Sequence, residues 1–269
     1  MLKGIDVSEH NGNINFAEVK AAGIDFAMIR AGYGWTTEDK TFEQNVNGFL
    51  NAGIKVGAYW FIYATNVNEA IQNADKCIAT LSKFKGKFTF PIACDYEYDS
   101  DSYSEKQGVK QTKATRTAIV EAFCDRLEEA GYYVSLYLNR DYLANKLNYN
   151  ELTQFDLWLA HWDVKKPYRE CGMWQNSDEL RIAGNIFDSD IAYKDYEQII
   201  TGAGLNHTTK AAATPAPQPV KFQTYYVRSG DNLTVIAQRF GTTVQQIVAD
   251  NNIQNPNLIY VAQPLKIRC

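Results

Sequence analysis

Along the first 206 residues, the pattern of hydrophobic and polar positions switches repeatedly between that of a β-strand and that of an amphipathic helix. Apolar runs rich in β-branched and aromatic residues, such as LKGIDVS and KVGAYWFIY, are each followed by a stretch with the spacing of an amphipathic helix. Five such strand–helix units follow one another. Because strands that are apolar almost throughout are typical of a sheet covered on both faces, we predict a parallel α/β sheet.

Three further strand-like runs, FDLWLAHW, CGMWQNS and NIFDSDIAY, follow with little sequence between them for helices. Eight strands in this order predict a TIM-like barrel over residues 1–206 that loses its outer helices toward the end. Residues 207–221, HTTKAAATPAPQPVK, have no periodic apolar pattern and predict a linker. Residues 222–269 predict a small domain in the order strand, helix, helix, strand.

The charge of the 269-residue chain is unevenly distributed. The formal net charge of the chain is −4. Residues 207–269 carry six Lys and Arg against two Asp and Glu, so residues 1–206 have a net charge of about −8. This acidic balance argues against nucleic acid as the main partner. Three widely spaced histidines offer little material for a zinc site, so we expect chemistry without a metal or other cofactor. We interpret His10 and His161 as polar rim residues.

The cysteine pattern favours free thiols, because the number is odd, the spacing is wide and no Cys-x-x-Cys pair occurs. These residues are Cys77, Cys94, Cys124, Cys171 and Cys269. The chain does not open with a basic segment followed by a short apolar one, and no apolar run reaches membrane-spanning length. We therefore expect synthesis in the cytoplasm without a signal peptide, no insertion into a membrane, and release by another route.

Acidic residues recur where the predicted strands end. In ACDYEYD, Asp95 and Glu97 are two positions apart, which places both side chains on one strand face with backbones roughly 6–7 Å apart. Two like charges at that separation raise at least one pKa. Asp6 ends the first strand, and Asp188 and Asp190 end the last. Since working groups of α/β barrels lie at the carboxyl ends of strands, we expect these carboxylates to meet in one cleft.

Several motifs together resemble the glycoside hydrolase family 25 lysozymes, in the order and spacing of that family across residues 1–206: GIDVSEHNG, FAMIRAGYG, VGAYWFIYA, ACDYE, LWLAHW, MWQNS and FDSD. The resemblance implies a flattened (βα)5β3 barrel. It also implies cleavage of the β-1,4 bond between N-acetylmuramic acid and N-acetylglucosamine in bacterial peptidoglycan, as in phage endolysins and some autolysins. The implied active-site carboxylates are Asp6, Asp95, Glu97 and Asp188, whereas Asp190 stands where the family more often has Asn.

Glycosidic cleavage needs a proton for the leaving oxygen and a carboxylate near the developing oxocarbenium ion. We expect Glu97 to be the general acid, because crowding by Asp95 and partial burial raise its pKa. Asp95 is then either a nucleophile or a group that orients the substrate's 2-acetamido group, and Asp6 or Asp188 is the alternative stabiliser of the cation. Retaining, inverting and acetamido-assisted routes all remain open at this point.

Aromatic side chains near the same strand ends are candidates for packing against sugar rings, although each taken alone is as well explained by the core. Three of them share one strand face in the AYWFIY run. The candidate substrate-binding residues are Tyr59, Phe61, Tyr63, Tyr137, Trp162 and Gln175. Arg30 is interpreted as an ion-pair partner of the acidic ring in preference to a ligand for a substrate carboxyl.

The C-terminal motifs YYVRSGDNL, IAQRFGTTVQQIVADNN and NPNLIYVAQPLKI resemble a LysM module, although Ala262 stands where Gly is common. The resemblance implies binding to N-acetylglucosamine-containing glycans such as peptidoglycan, through two loops. The implied contact residues are Gly230, Asp231, Asn232, Leu233, Thr234, Asn257, Leu258, Ile259 and Tyr260. Two rival interpretations are a chitinase-like or other hexosaminidase, and a glycan-binding protein with an inactive barrel. The second is disfavoured because every expected carboxylate is present.

Overall fold

The computed structural model describes residues 1–209 and 222–268. The chain divides into two compact units, Met1–Ala212 and Ala213–Cys269. Most of the predicted linker, residues 210–221, lies outside the described residues, as does Cys269.

The first unit is an eight-stranded closed barrel. Seven strands run parallel, and the last strand is antiparallel to both of its neighbours and closes the ring. A two-residue strand, β3 (Thr37–Glu38), pairs with the end of β2 outside the ring. The barrel strands are β1 (Leu2–Val7), β2 (Phe26–Tyr33), β4 (Lys55–Phe61), β5 (Ile92–Asp95), β6 (Val134–Asn139), β7 (Asp156–Ala160), β8 (Met173–Ile182) and β9 (Asn185–Ala192).

Helices cover the outside of the barrel along its first half. They are α1 (Phe16–Ala21), α2 (Phe42–Asn51), α3 (Val67–Leu81), α4 (Tyr98–Lys106) and α5 (Lys113–Glu129). A further helix, α6 (Tyr196–Ala203), follows β9 and packs through Tyr196 and Ile200 against the inward-facing cluster of Phe26 and Phe90. The connection from β6 to β7 contains only a π-helical turn, Tyr142–Lys146, and a 3-10 turn, Tyr149–Glu151. The predicted (βα)5β3 barrel is therefore confirmed. In the part of the chain that the structure describes, no helix is both long and apolar enough to cross a bilayer.

The barrel strands divide their side chains between two cores, because successive residues of a strand point to opposite faces. Ile5 and Ile29 point outward and pack under the helices. Phe26 and Met28 point into the barrel, where the Phe26 ring stacks on Phe90 with centroids 4.3 Å apart. Further up β2 the next inward position is Arg30. The inward-facing side of the barrel thus changes from apolar to charged toward the carboxyl ends of the strands.

The four cysteines within the described residues are all buried and free, as predicted: Cys77, Cys94, Cys124 and Cys171. Cys94 lies on the outward face of β5, among the side chains packed between the barrel wall and the helices. Burial raises the pKa of the Cys77 and Cys124 thiols well above the usual range. These residues are therefore packing groups of the barrel wall.

Asn206 closes the amino end of the barrel. Its side chain is fully buried and donates to the carbonyl oxygens of Phe88 (3.1 Å) and Phe90 (2.9 Å), while its Oδ1 accepts from the amide of Tyr133 (2.7 Å). Thr208 then returns a hydrogen bond from Oγ1 to the carbonyl of Leu205. Because these contacts tie the segment to the barrel, we propose that the barrel unit ends after Thr208.

The second unit is a two-stranded antiparallel sheet with two helices, in the predicted order. It comprises β10 (Phe222–Tyr226), α7 (Leu233–Arg239), α8 (Val244–Asn251) and β11 (Pro264–Arg268). Its core consists of Val227, Leu233, Ile236, Ala237, Ile247, Leu265 and Ile267. Seven buried side chains make a small core near the lower size at which a domain folds alone.

Candidate active site

A pocket of about 170 Å³ opens at the carboxyl ends of the parallel strands. Acidic side chains reach it from β1, from the end of β5 and from β9, so the expected convergence of distant carboxylates is present. The lining residues are Asp6, Ser8, His10, Arg30, Tyr59, Phe61, Asp95, Glu97, Tyr137, Trp158, Gln175 and Asp188.

Asp188 reaches the pocket in a way that the strand-end argument did not anticipate. The residue lies within β9 and not at the end of a strand, and it pairs with Asp6 of β1 in the antiparallel register. The β8–β9 hairpin extends beyond the mouth of the barrel, since Ile182 and Asn185 pair at its tip. The middle of β9 therefore lies level with the carboxyl end of β1, which brings the two aspartates together.

Asp95 and Glu97 enter the pocket side by side although β5 ends at Asp95. Glu97 is the N-cap residue of α4 and keeps an extended backbone (φ −132°, ψ −167°), so the strand alternation continues for two more residues. The Glu97 amide donates to Ser100 Oγ at 3.1 Å, which fixes this conformation. The turn from strand to helix thereby places both carboxyl groups on one side of the pocket.

The surroundings of Asp95 and Glu97 favour a proton on this pair of carboxyl groups. Burial raises the pKa of Asp95 well above its usual range, and the neighbouring Glu97 raises it further. Burial is also the main reason that the pKa of Glu97 is raised, and Asp188 contributes in the same direction. Of the two expected causes, burial is therefore confirmed, whereas crowding by Asp95 was wrong, because the hydrogen bond with Asp95 lowers the pKa of Glu97.

Gln175 connects the opposite side of the pocket. Its Nε2 donates to Asp6 Oδ2 at 2.8 Å and to Asp188 Oδ2 at 3.3 Å. Its Oε1 accepts from the Tyr137 hydroxyl at 2.9 Å and from Trp162 Nε1 at 3.0 Å. All four hydrogen-bonding positions of the amide are thus used within the protein, so Gln175 orients the carboxyl groups around it.

The aspartates on this side are also driven toward their neutral forms. Burial raises the pKa of Asp188 to about 6, and the nearby Asp178 adds to the effect. Burial raises the pKa of Asp190, which lies beneath the pocket, to about 8. For Asp6, burial and then the charges of Asp190 and Asp188 raise the pKa well above its usual range.

Arg30 is an ion-pair residue, as favoured, but its partners lie outside the predicted ring. Its Nε donates to Asp39 Oδ2 at 2.8 Å and its terminal nitrogen to Glu9 Oε1 at 3.0 Å. The guanidinium is largely buried, and Asp39 is completely so. Because both contacts hold Arg30 to loop residues, the carboxyl groups in the pocket lack a compensating cation from this side chain.

The predicted sugar-binding aromatics divide between the pocket and its edge. Tyr59, Phe61 and Tyr137 line the pocket, whereas Trp162 is exposed at the rim. Tyr63 contacts Phe61, with ring centroids 5.1 Å apart, and lines an adjoining cleft of about 190 Å³. The other residues of that cleft are Asp99, Ser102, Tyr103 and Lys106. The aromatic surface thus continues from the pocket along the mouth of the barrel.

Sequence reasoning missed Trp158 and Ser8 as lining residues. A signal for Trp158 exists, because alternation along β7 places residues 158, 160 and 162 on one face. Trp158 Nε1 donates to Asp190 Oδ1 at 2.7 Å. Within residues 1–209 and 222–268, no group of three or more His, Cys, Asp and Glu side chains is arranged to hold a metal ion, and the expectation of metal-free chemistry stays a prediction.

A larger cavity of about 790 Å³ lies at the opposite, amino end of the barrel strands. Three of its charged lining residues already have partners: Lys194 contacts Asp156 at 2.9 Å, and the Arg169 guanidinium lies 4.6 Å from the Tyr149 ring centroid. Size alone therefore does not identify the site. The smaller pocket is the candidate because it brings acidic groups with raised pKa values together.

Comparison with known proteins identifies the barrel. The model for glycosyl hydrolases family 25 matches residues 5–185, about two thirds of the chain. The chain belongs to glycosyl hydrolase family 25. A second model, for the LysM domain, matches residues 225–268.

Relatives of this family 25 chain include lysozymes and an autolysin. It is 28% identical to the autolytic lysozyme of Clostridium acetobutylicum over 71% of this chain and 55% of that protein. It is 29% identical to lysozyme M1 of Streptomyces globisporus, over 70% and 66% of the two chains. The solved structure of the autolysin LytC from Streptococcus pneumoniae, in complex with a synthetic peptidoglycan ligand, matches at 26% identity with a TM-score of 0.62. The match covers 71% of this chain and 46% of LytC. The chain thus spans about half to two thirds of the length of these relatives.

The first predicted LysM loop of this family 25 chain has mainly structural contacts. Leu233 is 3% exposed and packs in the core of the second unit, which leaves its side chain no surface for a ligand. Asn232 caps α7 by accepting from the Val235 amide at 2.9 Å. Asp231 accepts from the Tyr225 hydroxyl at 2.6 Å. Gly230 and Thr234 are exposed and stay candidates for glycan contact.

The second predicted loop offers more open surface. Leu258 is 50% exposed and Tyr260 is 63% exposed, whereas Ile259 is partly buried against the core. Asn257 is exposed, and its amide donates to Asn255 Oδ1 at 3.0 Å. Exposed apolar side chains held in a turn are the kind of surface that packs against sugar rings.

Proposed function

We propose that this protein is an N-acetylmuramidase, a lysozyme that hydrolyses the β-1,4 bond between N-acetylmuramic acid and N-acetylglucosamine in bacterial peptidoglycan. Its barrel carries out the hydrolysis, and its LysM domain binds the glycan strands of the cell wall. The observation that carries the proposal is the proton-holding pair Asp95–Glu97, set in an acidic pocket at the mouth of a family 25 barrel.

Glu97 is the general acid in this proposal. It is the more exposed member of the pair, so it can deliver a proton to the leaving oxygen of a bound glycan while Asp95 stays hydrogen-bonded beneath it. The water that completes the hydrolysis gives its hydroxide to the sugar and its remaining proton back to the pair. Burial keeps the proton in the pair at neutral pH, as a glycosidase acid requires.

The carboxylate opposite Glu97 comes from the other side of the pocket. Asp95 is hydrogen-bonded to Glu97, and a direct contact leaves no room for a sugar ring between the two groups. Asp188 is partly exposed, and its charge acts on Glu97 across the pocket. We assign Asp188 the stabilisation of the oxocarbenium-like transition state, with Asp6 holding it in place through Gln175.

The LysM domain acts through local concentration. A second binding site on the same polymer keeps the barrel near its substrate, so even weak glycan binding raises the rate on an insoluble cell wall. The function therefore belongs at the bacterial cell wall, in the manner of an endolysin or an autolysin. The names of the relatives, a lysozyme that is autolytic and an autolysin, support this placement.

The test is digestion of purified peptidoglycan followed by mass spectrometry of the borohydride-reduced fragments. A muramidase leaves muramic acid at the new reducing end. The Glu97→Gln variant keeps the shape of the side chain without an ionisable proton and should lose about 100-fold or more in turnover. Glu105→Gln, the same exchange on the exposed side of α4, should behave like the wild type.

Three outcomes would contradict the proposal. Glucosamine at the reducing end would identify a glucosaminidase, and activity on chitin without activity on peptidoglycan would identify a chitinase-like enzyme. Near-normal turnover by Glu97→Gln would remove the assigned acid. As a separate measurement, NMR analysis of the anomer in fresh product shows whether the reaction proceeds with inversion or with retention.

A further inference from the structure

Asp190 is a buried acidic residue that the proposed reaction does not use. It lies on β9 beneath the floor of the pocket and is 2% exposed. One carboxyl oxygen, Oδ1, accepts a hydrogen bond from Trp158 Nε1 at 2.7 Å. The other, Oδ2, is completely buried and receives no donor from an N–H or neutral O–H group of the described residues. A buried carboxylate oxygen without a hydrogen-bond donor destabilises the fold unless a proton lies between it and a neighbouring acceptor.

The Asp190 side chain contacts another carboxyl group. Asp6 on β1 lies within hydrogen-bonding distance of Asp190, because β1 and β9 are paired and both side chains point into the barrel. Two carboxylates in contact repel each other, whereas a carboxylic acid and a carboxylate form a strong hydrogen bond. The geometry therefore requires at least one proton between Asp6 and Asp190.

Among the residues that line the pocket, none supplies a free Lys or Arg side chain to replace that proton. Asp188 on β9 adds a third acidic group, while Trp158 on β7 and Gln175 on β8 are uncharged. The titratable side chains elsewhere around the pocket are His10, Tyr59, Asp95, Glu97 and Tyr137. Arg30, the only Lys or Arg among the lining residues, is hydrogen-bonded to Asp39 and Glu9.

We propose that Asp190 is a positioning residue that shares a proton with Asp6 and so holds the Asp6 carboxyl group against Gln175 at the floor of the pocket. Asp6 is then fixed from two sides, by the shared proton and by Gln175 Nε2 at 2.8 Å. The same Gln175 amide donates to Asp188. Asp190 thus acts on the reaction only through the orientation of Asp6 and Asp188.

Alkaline pH removes this support. Burial raises the pKa of Asp190 to about 8 and that of Asp6 well above its usual range, so the pair loses its protons only on the alkaline side of neutrality. Once the proton is lost, repulsion turns the Asp6 carboxyl group away and loosens its bond to Gln175. We therefore expect turnover to fall at alkaline pH in a way that depends on Asp190 as well as on the acid Glu97.

The test compares Asp190→Asn and Asp190→Leu in the full-length protein, with turnover of soluble peptidoglycan fragments measured from pH 5 to pH 10. An Asn amide donates to Asp6 at every pH and still accepts from Trp158. We expect Asp190→Asn to keep its turnover near pH 6 within about threefold and to extend the alkaline limb by about one pH unit. We expect Asp190→Leu, of similar size but without a donor, to lose roughly tenfold to a hundredfold in kcat with little change in KM.

The inference would be overturned if Asp190→Asn kept the wild-type alkaline limb, or if Asp190→Leu retained its kcat. The activity measurement rests on the proposed function. A second measurement is therefore needed that does not depend on activity. Thermal unfolding of the wild type between pH 6 and pH 9 should show a decline that Asp190→Asn removes in part. An unchanged decline would refute the shared proton, whereas a wild type without activity on peptidoglycan would refute only the proposed function.

Discussion

Replacing Asn206 by Ala tests how the amino end of the barrel is held together. The substitution removes the partners of three buried backbone groups, the carbonyls of Phe88 and Phe90 and the amide of Tyr133. Each costs about 1 to 1.5 kcal/mol when its partner is lost. Asn206 also has φ 53°, in the left-handed region that Asn tolerates, where Ala costs about 1 kcal/mol more. We expect a loss of about 4 to 5 kcal/mol in the free energy of unfolding.

The assay can follow the barrel alone, because all five tryptophans of the chain lie at positions 35–174. Thermal unfolding recorded by Trp fluorescence should show a decrease of about 10 to 15 °C for Asn206→Ala, since about 1 kcal/mol corresponds to roughly 2–4 °C at this size. Turnover at 25 °C should stay near that of the wild type, because Asn206 lies at the end of the barrel opposite to the pocket.

Two control variants separate the causes. Asn206→Gly permits the left-handed backbone but lacks the amide, so it should recover only about 1 kcal/mol of the loss. Asn47→Ala removes an exposed hydrogen bond within α2 and should change the stability by less than about 0.5 kcal/mol. A midpoint for Asn206→Ala within 2 °C of the wild type, about the effect of a surface exchange, would refute the assigned role of these hydrogen bonds.

Three other results are expected. Gln175→Leu should lower kcat by roughly a hundredfold in a peptidoglycan digestion assay, because Asp6 and Asp188 lose their common donor; an effect confined to KM would instead indicate direct substrate binding. The barrel should become less stable as the pH rises from about 4 to about 8. The pKa values of Asp188 (about 6) and Asp190 (about 8) lie above their ordinary value near 3.8, so the folded state binds protons that the unfolded state has released. Equal unfolding midpoints at pH 5 and pH 8.5, measured by Trp fluorescence, would contradict this. Ala262→Gly should stabilise the second unit by about 0.5 to 1 kcal/mol in calorimetry, because Ala262 has φ 69°; an unchanged or lowered transition would show that the strain is absent.

Local pattern was sufficient for several features of the site. Alternation in ACDYEYD placed Asp95 and Glu97 on one side of the pocket, and the carboxyl-end rule placed Asp6 at its mouth. These inferences worked because a strand's period of two, and the common direction of parallel strands, depend only on neighbouring residues. The same pattern would have found Trp158, which shares a face with Trp162.

Features that depend on the pairing of distant segments were not accessible in this way. Asp188 was expected at a strand end, but its position follows from the reversed direction of β9 and from its register with β1. Arg30 was expected to pair with the acidic ring, but the loop after β2 supplies Asp39 and the turn after β1 supplies Glu9. No periodicity in the sequence encodes such a choice among several possible acidic partners.

The sequence by itself determined the order of the strands along the chain, the alternation of side chains within each strand, and the acidic character of the pocket. The tertiary structure alone decided how the acidic groups hold their protons, because the pKa of each carboxyl group depends on burial and on contacts across the barrel. The hydrogen bond from Gln175 to Asp6 joins residues 169 positions apart, and only closure of the barrel brings them within 2.8 Å. Local pattern therefore supplies the charges, and the closed ring of strands turns them into a site that can keep a proton.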